Sequence, residues 1–289
     1  IMLMRGIPEK NAAAHRGDWL KTATGSTEIR GKTLGIVGYG HIGSHLGIIA
    51  ESMGMRVIFQ DVESKLPLGN AEARDSLRAL LAESDVVSLH VPDAADTRNL
   101  MSASAIAAMR QGSYLINASR GTVVDSDALH EALVPGQLAG AALDVFPVEP
   151  KSNTDRFVSP LLGQVNVILT PPIGGSTLEA QENIAVEVAS KLVRYSDNGT
   201  TRSAVNFPQV SLPDHGDTRR IMHIHHNEPG VLQNINKIFF DKVVNIAAQY
   251  LQTEGDVGYV VMDVESDDVS DLMEDLAKIP ATIRTRILH

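Results

Sequence analysis

The chain contains no cysteine. Disulfide staples and thiolate chemistry are therefore excluded, which fits a reducing compartment. No apolar run is long enough to cross a bilayer, and no secretory leader pattern opens the sequence, so no membrane partner is expected and the cytoplasm is the expected location. Lysine and arginine number 25 against 35 aspartates and glutamates, a formal charge of −10, and they form no cluster. Without a basic surface the phosphates of a nucleic acid would be repelled, so a nucleic-acid partner is not expected either. An anionic small molecule must then be gripped by individual Arg or Lys side chains. Internal repeats and low-complexity tracts are also missing, and the first residue is Ile1 rather than methionine, so truncation is expected.

What remains is a globular composition, 43% hydrophobic over 289 residues, which suffices for two domains with sizeable cores. From Gly31 to Thr170, short apolar runs (TLGIVG, MRVIFQD, DVVSLHVP, SYLINAS, LAGAALDVF, VNVILTP) alternate with amphipathic stretches. Continuous apolar strands separated by helices predict a doubly wound α/β domain whose parallel sheet is covered on both faces. TLEAQENIAVEVASKLVRYSDNG predicts one long helix, with Thr177 as its N-cap and Asn198-Gly199 as its stop. FPQVSLPDHGDTRR, rich in Pro, Gly and charge, reads as a linker. The tail from Arg219 then runs strand, helix, strand, strand, helix, strand, the βαββαβ order of a ferredoxin-like domain.

The strand TLGIVGYG leads into Gly38-Tyr39-Gly40-His41-Ile42-Gly43 and a helix follows. In that context the spacing is a dinucleotide fingerprint: Gly38 for the tight turn, Gly40 for approach of a pyrophosphate, Gly43 for close helix packing. The next strand ends in Asp61, where a carboxylate can accept from the ribose hydroxyls and would repel a 2′-phosphate, which favours NAD over NADP. The alternative, a close strand-to-helix turn without a ligand, explains the glycines singly but not their joint spacing with Asp61.

Three further loops fall at strand C-termini, where open α/β sheets bind ligands: Asn117-Ala118-Ser119-Arg120-Gly121, Asp144-Val145-Phe146-Pro147-Val148-Glu149-Pro150, and TPPIGGST at 170–177. Arg120 offers a fork of donors to a carboxylate or polarised carbonyl, and Glu149, in a Pro-flanked and partly dry turn, can orient a catalytic base. Each has an ordinary alternative as a surface ion-pair residue. The 170–177 loop is a shaped segment with no ionisable side chain.

Together GYGHIG, NASRGTVVD, DVFPVEP and IGGST resemble the D-isomer-specific 2-hydroxyacid dehydrogenases, and with the tail the whole chain resembles bacterial members that end in an ACT domain. The resemblance implies a Rossmann-like domain, the remnant of a flavodoxin-like substrate domain and a C-terminal ACT domain. It divides the chain into a hinge helix from the substrate domain (1–22), an NAD-binding domain (23–170), a return segment (171–207), a linker (208–218) and the ACT regulatory domain (219–289). It implies NAD-dependent oxidation of 3-phospho-D-glycerate to 3-phosphohydroxypyruvate, at the entry to serine synthesis, by a homo-oligomer, a tetramer in the family, with Trp19 at a subunit contact. By the same resemblance His41, Ile42, Asp61, Ala118, Ser119, Arg120 and Asp144 contact NAD, as do Gly174 and Gly175 through a close backbone approach. Arg120 also holds the substrate carboxylate, and Glu149 orients the acid/base histidine. Pro172 occupies that histidine's position, and a proline has no proton to exchange. A catalytically silent NAD- and serine-binding subunit, or another D-2-hydroxyacid dehydrogenase, are the alternatives.

In the tail, His225 and Asn227 stand where the first strand meets Pro229-Gly230, and Asn245 begins the next strand. Such donors and acceptors suit an amino acid zwitterion, although an Asn before a helix is commonly a cap. The resemblance implies that these three bind L-serine between paired subunits. Val243 stands where the family commonly has a glycine ending the helix; a β-branched residue resists the left-handed conformation, so the turn is expected to rearrange and to displace Asn245. His90 reads as a satisfied strand-end residue. No metal is expected at His223, His225 and His226, since alternation sends the third to the opposite face.

Overall fold

The computed structural model describes residues 1–266 and 268–288, which form two compact units, Ile1–Thr177 and Leu178–His289. The first begins with two short helices, α1 (Met2–Arg5) and α2 (Ile7–His15). Then come β1 (Thr33–Val37), α3 (His41–Ser52), β2 (Arg56–Gln60), β3 (Glu72–Ala73), α4 (Leu77–Glu83) and β4 (Val86–Leu89). The unit continues through α5 (Ala103–Ala107), β5 (Ser113–Asn117), α6 (Ser126–Leu133), β6 (Leu138–Leu143) and β7 (Val167–Leu169).

All seven strands are parallel, in the order β3-β2-β1-β4-β5-β6-β7. The short β3 has no counterpart in the sequence-based expectation; the other strands do. Alternation divides their side chains between two cores. Leu34, Ile36, Val57, Phe59 and Val86 pack with α1 and α3, while Val37, Ile58, Val87, Leu89 and Leu115 pack with α4, α5 and α6. Burial of both faces explains why the strands read as unbroken apolar runs. The order reverses between β1 and β4, so a crevice opens beyond their C-terminal ends, where doubly wound sheets take ligands.

The second unit opens with α7 (Leu178–Asn198), which ends at Gly199 with a φ of 77° and has no buried residue. It continues through β8 (Arg219–His226), α8 (Val231–Asp241), β9 (Ile246–Glu254), β10 (Val257–Val264), α9 (Ser270–Ala277) and β11 (Thr282–Leu288). The sheet is antiparallel, in the order β11-β8-β10-β9. Helices α8 and α9 cover one face through Ile235, Phe239, Leu272 and Leu276. The other face carries Met222, Ile224, Tyr259, Val261 and Leu288, and it is covered by Phe207, Val210 and Leu212. The segment expected as a solvated linker is therefore partly core, because a sheet with two apolar faces requires a cover on each.

Arg220 fastens that cover. Its guanidinium, fully buried, donates from Nε and Nη2 to the Asp263 carboxylate at 2.6 and 2.8 Å and from Nη1 to the carbonyls of Asn198 and Pro213 at 2.9 Å each. One side chain thus ties the end of α7 and the linker to β8 and β10. Removing one partner of such a buried pair typically costs about 3–5 kcal/mol, because the other charge is left uncompensated.

The turn after α8 departs from expectation. It keeps the geometry of a glycine-capped helix end, with Val244 N–H donating to Phe239 O at 3.0 Å and Val243 N–H to Phe240 O at 3.1 Å. Val243 itself is driven to a φ of 57°. The helix-end hydrogen bonds and the burial of Phe239 outweigh the local strain, so the strain is borne rather than relieved by rearrangement. Asn245 stands immediately before β9, its carbonyl accepting from Glu265 N–H at 3.3 Å and its amide donating to the Glu265 carboxylate at 3.0 Å. A left-handed L-residue costs about 1–2 kcal/mol. Val243 is 91% exposed, so little packing offsets that cost. Val243→Gly should stabilise the second unit by about 1 kcal/mol after the added freedom of the unfolded chain is subtracted. Denaturant unfolding of the full chain, followed by a probe in the second unit, checks this; a lower midpoint for the glycine variant contradicts it.

Candidate active site

The crevice is built from the β1–α3 turn. Gly38 has a φ of 89°, and a Cβ there would lie 2.4 Å from the carbonyl oxygen of His90. A Cβ on Gly43 would lie 2.1 Å from the carbonyl oxygen of Gly38. These two glycines are required by the protein's own packing. Gly40 differs: its φ of −78° suits any residue, and a Cβ there meets nothing within 4 Å. The space in front of it is open.

The starts of α4 and α6 are closed by side chains, Ser76 accepting from Ala79 N–H and Asp125 from Asp127 and Ala128 N–H, whereas the short α5 has no side-chain cap. No side chain caps α3. Its first-turn amides and positive dipole end therefore face the open space at Gly40, an arrangement suited to a pyrophosphate. Asp61, at the end of β2, is half-buried and accepts from Tyr39 N–H at 2.6 Å and Glu63 N–H at 3.0 Å. Each carboxylate oxygen retains acceptor capacity toward ribose hydroxyls. Tyr39 does not enter the crevice, because its ring is buried and stacks on Phe59 at 3.8 Å. His41 and Ile42 are exposed at the start of α3. The residues present thus fit a dinucleotide.

The loops after β5, β6 and β7 are chained together. Buried Asn117 accepts from Ser119 N–H and Oγ at 3.1 and 2.9 Å and donates to Arg120 O at 2.9 Å, which folds Ala118, Ser119 and Arg120 into a tight turn. Arg120 is exposed, with Nη1 donating to Ser119 O at 2.8 Å. Asp144 N–H donates to Asn117 O at 2.9 Å, and the Asp144 carboxylate accepts from Thr170 Oγ1 at 2.6 Å and from the amides of Ile173 and Gly174 at 3.3 and 3.4 Å. Asp144 therefore holds the 170–177 loop, a role the sequence did not signal. Within that loop Ser176 Oγ donates to Pro172 O at 2.9 Å. Gly174 and Gly175 are exposed, and neither has a positive φ.

Glu149, expected in a partly dry turn, is exposed, and its Oε1 accepts from Phe146 N–H at 3.1 Å. His90 lies beside the crevice, its N–H donating to Val37 O at 2.7 Å and its Nε2 2.9 Å from Ser88 Oγ. Burial holds its pKa below the ordinary imidazole value. In the second unit His225 and Asn227 stand at one end of the sheet. Asn245 stands at the other end: register pairs His225 with Gly258 and Gly258 with Thr253, eight residues beyond Asn245, or about 25 Å along β9.

Residues 1–174 match the family model described as the NAD-binding domain of D-isomer-specific 2-hydroxyacid dehydrogenases. The chain belongs to the D-isomer-specific 2-hydroxyacid dehydrogenases. These are NAD-dependent oxidoreductases. Residues 221–284 match an ACT domain of the acetohydroxyacid synthase small-subunit type. The chain is 61% identical over 289 residues to a D-3-phosphoglycerate dehydrogenase of Haemophilus influenzae, and 62% identical over 291 residues to that of Escherichia coli K12. All of this chain is covered, together with 70% and 71% of those proteins. A D-isomer-specific 2-hydroxyacid dehydrogenase from Lactobacillus delbrueckii, solved in its NAD-complexed form, superposes with a TM-score of 0.63 at 31% identity, covering 71% of this chain and 66% of its own. Among the described residues no helix is long and apolar enough to cross a membrane, and no group of three metal-ligating side chains is found.

The charge of Asp61 is expected to decide between the two reduced cofactors. NADH should bind at least about ten-fold more tightly than NADPH, the scale of repulsion between a carboxylate and a 2′-phosphate a few ångströms apart. Asp61→Asn, which removes the charge and keeps an acceptor for Tyr39 N–H, should narrow the gap in fluorescence titrations. Equal affinity of the unmodified chain for NADH and NADPH would rule this role out.

Proposed function

We propose that the chain is the nucleotide-binding and regulatory portion of a 3-phosphoglycerate dehydrogenase, which oxidises 3-phospho-D-glycerate to 3-phosphohydroxypyruvate in the cytoplasm and is restrained by L-serine. The observation that carries this reading is that similarity to proteins of that name runs through both units and all 289 residues. A bound NAD would supply the hydride acceptor for the substrate's C2 carbon. To hold it, the α3 amides and Gly40 would receive the pyrophosphate and Asp61 the ribose, and Ala118, Ser119 and Asp144 would line the nicotinamide side. Arg120 holds the substrate carboxylate, its guanidinium being exposed and keeping donors beyond the one that Nη1 gives to Ser119 O. Residues 1–22 and 171–207 are read as the two passages to the substrate domain.

Removal of the hydroxyl proton requires a base beside the nicotinamide. By the family resemblance that position is Pro172, and the remaining polar side chains of the 170–177 loop are the hydroxyls of Thr170, Ser176 and Thr177. Glu149 then has no imidazole to orient. This favours a second reading, an NAD- and serine-binding subunit without turnover of its own. The two are separated by supplying the portion of the Haemophilus relative that this chain does not span and comparing the proline and histidine forms at position 172. General acid–base catalysis is worth about 10²- to 10⁴-fold, so Pro172→His should raise kcat by at least 100-fold while NAD affinity stays constant. Equal turnover of the two forms would show that the proton leaves by another group, with His90 the first to test.

The serine proposal follows from the two ends of the ACT sheet. His225 and Asn227 lie about 25 Å from Asn245 in one chain, too far to share a small ligand. A two-fold pair of tails brings Asn245 of one copy to His225 and Asn227 of the other, so serine binding and homo-oligomer formation are one proposal. Asn245→Ala should weaken serine by about 1–3 kcal/mol, the cost of leaving buried polar groups unpaired. Calorimetry on the full chain measures this, and an absence of heat with millimolar serine would reduce the tail to an assembly module.

A further inference from the structure

His223 and His225 lie on the helix-facing side of β8 and are 0% and 4% exposed. Their rings meet at the Nδ1 atoms, 3.4 Å apart. Burial, with the neighbouring His225 as a lesser cause, pushes the His223 pKa down to about 4, and burial also lowers that of His225. Near pH 7 both rings are therefore neutral, and each carries one N–H.

The backbone of Leu276 also bonds the His223 ring and that of His223 the His225 ring, and the network is consistent with the following placement of those protons. Thr282 Oγ1 lies 2.9 Å from Leu276 O, and a carbonyl can only accept, so the hydroxyl proton points there. Thr282 Oγ1 must then accept from the ring nitrogen 2.8 Å away, which makes His223 Nε2 the protonated one. His223 Nδ1 is consequently bare. Two bare nitrogens facing each other would repel, so His225 Nδ1 donates to it, and His225 Nε2 is left bare in turn. No side-chain hydrogen bond to that atom is found among the described residues. It lies over the backbone of Gly258, where a Cβ would be 2.2 Å from it; only glycine leaves room for the ring.

We infer that Thr282 and His223 are positioning residues that hold His225 in its Nδ1–H tautomer, so that the effector meets a bare Nε2 acceptor. The inference rests on the proposal that His225 belongs to the serine site, and it adds the rule by which that site selects. A bare Nε2 accepts from an ammonium or hydroxyl group and repels a carboxylate. It therefore orients an amino acid with a donor, not its carboxylate, toward β8. Thr282 is 59 residues from His223 in sequence, and the relay runs back to the end of α9, so movement of that helix end reaches the effector through two side chains.

The direct measurement is the long-range ¹H–¹⁵N correlation spectrum of the full chain with ¹⁵N-labelled histidine, without effector. His225 is expected to show a protonated Nδ1 and a bare Nε2, and His223 the reverse. A protonated Nε2 on His225, or averaging between its tautomers, overturns the inference. His223→Leu removes the acceptor and should release the His225 tautomer and weaken serine by about ten-fold or more, the scale of a hydrogen bond to a charged group. His223→Asn places an amide oxygen near the Nδ1 position and should preserve both the tautomer and the serine affinity within a few-fold. Unchanged serine affinity in His223→Leu overturns the positioning role. If the unmodified chain shows the expected tautomers and yet binds no serine, the effector reading of His225 fails while the tautomer relay stands.

Discussion

The carbonyl of Gly38 fills the place that a side chain on Gly43 would need, and the rest of the nucleotide-binding unit is arranged around that contact. It sets how closely α3 starts to the end of β1, and so where the first uncapped amides of the helix point. Tyr39, between the two, is buried against Phe59, and its amide is held by Asp61 at 2.6 Å. The carboxylate proposed to receive the ribose is thus fixed to the turn proposed to receive the pyrophosphate. Neither element can shift without the other, and preorganisation of this kind lowers the ordering cost of binding.

A second chain of contacts runs along the strand ends. Asn117 shapes the turn that carries Arg120, accepts at its carbonyl from Asp144, and Asp144 in turn fastens the loop at 170–177. Proline at 172 leaves this framework intact, because the loop is held by Thr170, Ile173 and Gly174, and residue 172 contributes only a backbone carbonyl, to Ser176 Oγ, that any residue would supply. Loss of the ionisable group and retention of the loop's shape are therefore compatible. The same separation of local chemistry from scaffold appears at Val243, where the helix-end hydrogen bonds persist around a residue ill-suited to its backbone angle.

Much of the fold was legible because the parallel strands are buried on both faces and read as plain apolar runs bounded by glycine-containing turns. The dinucleotide turn was legible because its constraint is steric and local. What escaped involves residues far apart in sequence. The packing of Val210 and Leu212 depends on the second face of a sheet that begins at residue 219, and prolines and charges around them suggested solvent. Arg220 ends the charged stretch that reads as a linker, yet Asp263, Asn198 and Pro213 surround it. His223 was weighed only as a metal ligand; its partner Thr282 lies on another strand. The Val243 turn was misjudged because residue preference was allowed to outweigh the tertiary contacts that fix the end of α8.

The three glycines of the β1–α3 turn answer to different masters. Gly38 and Gly43 must stay small for the protein to fold, whereas a side chain at Gly40 would project into empty space and leave folding untouched. Selection for stability alone is blind to that position. In a lineage that had stopped holding a dinucleotide, substitutions at Gly40 would pass as neutral and accumulate well before the other two glycines changed. The glycine that contributes least to the fold is for that reason the most informative about use.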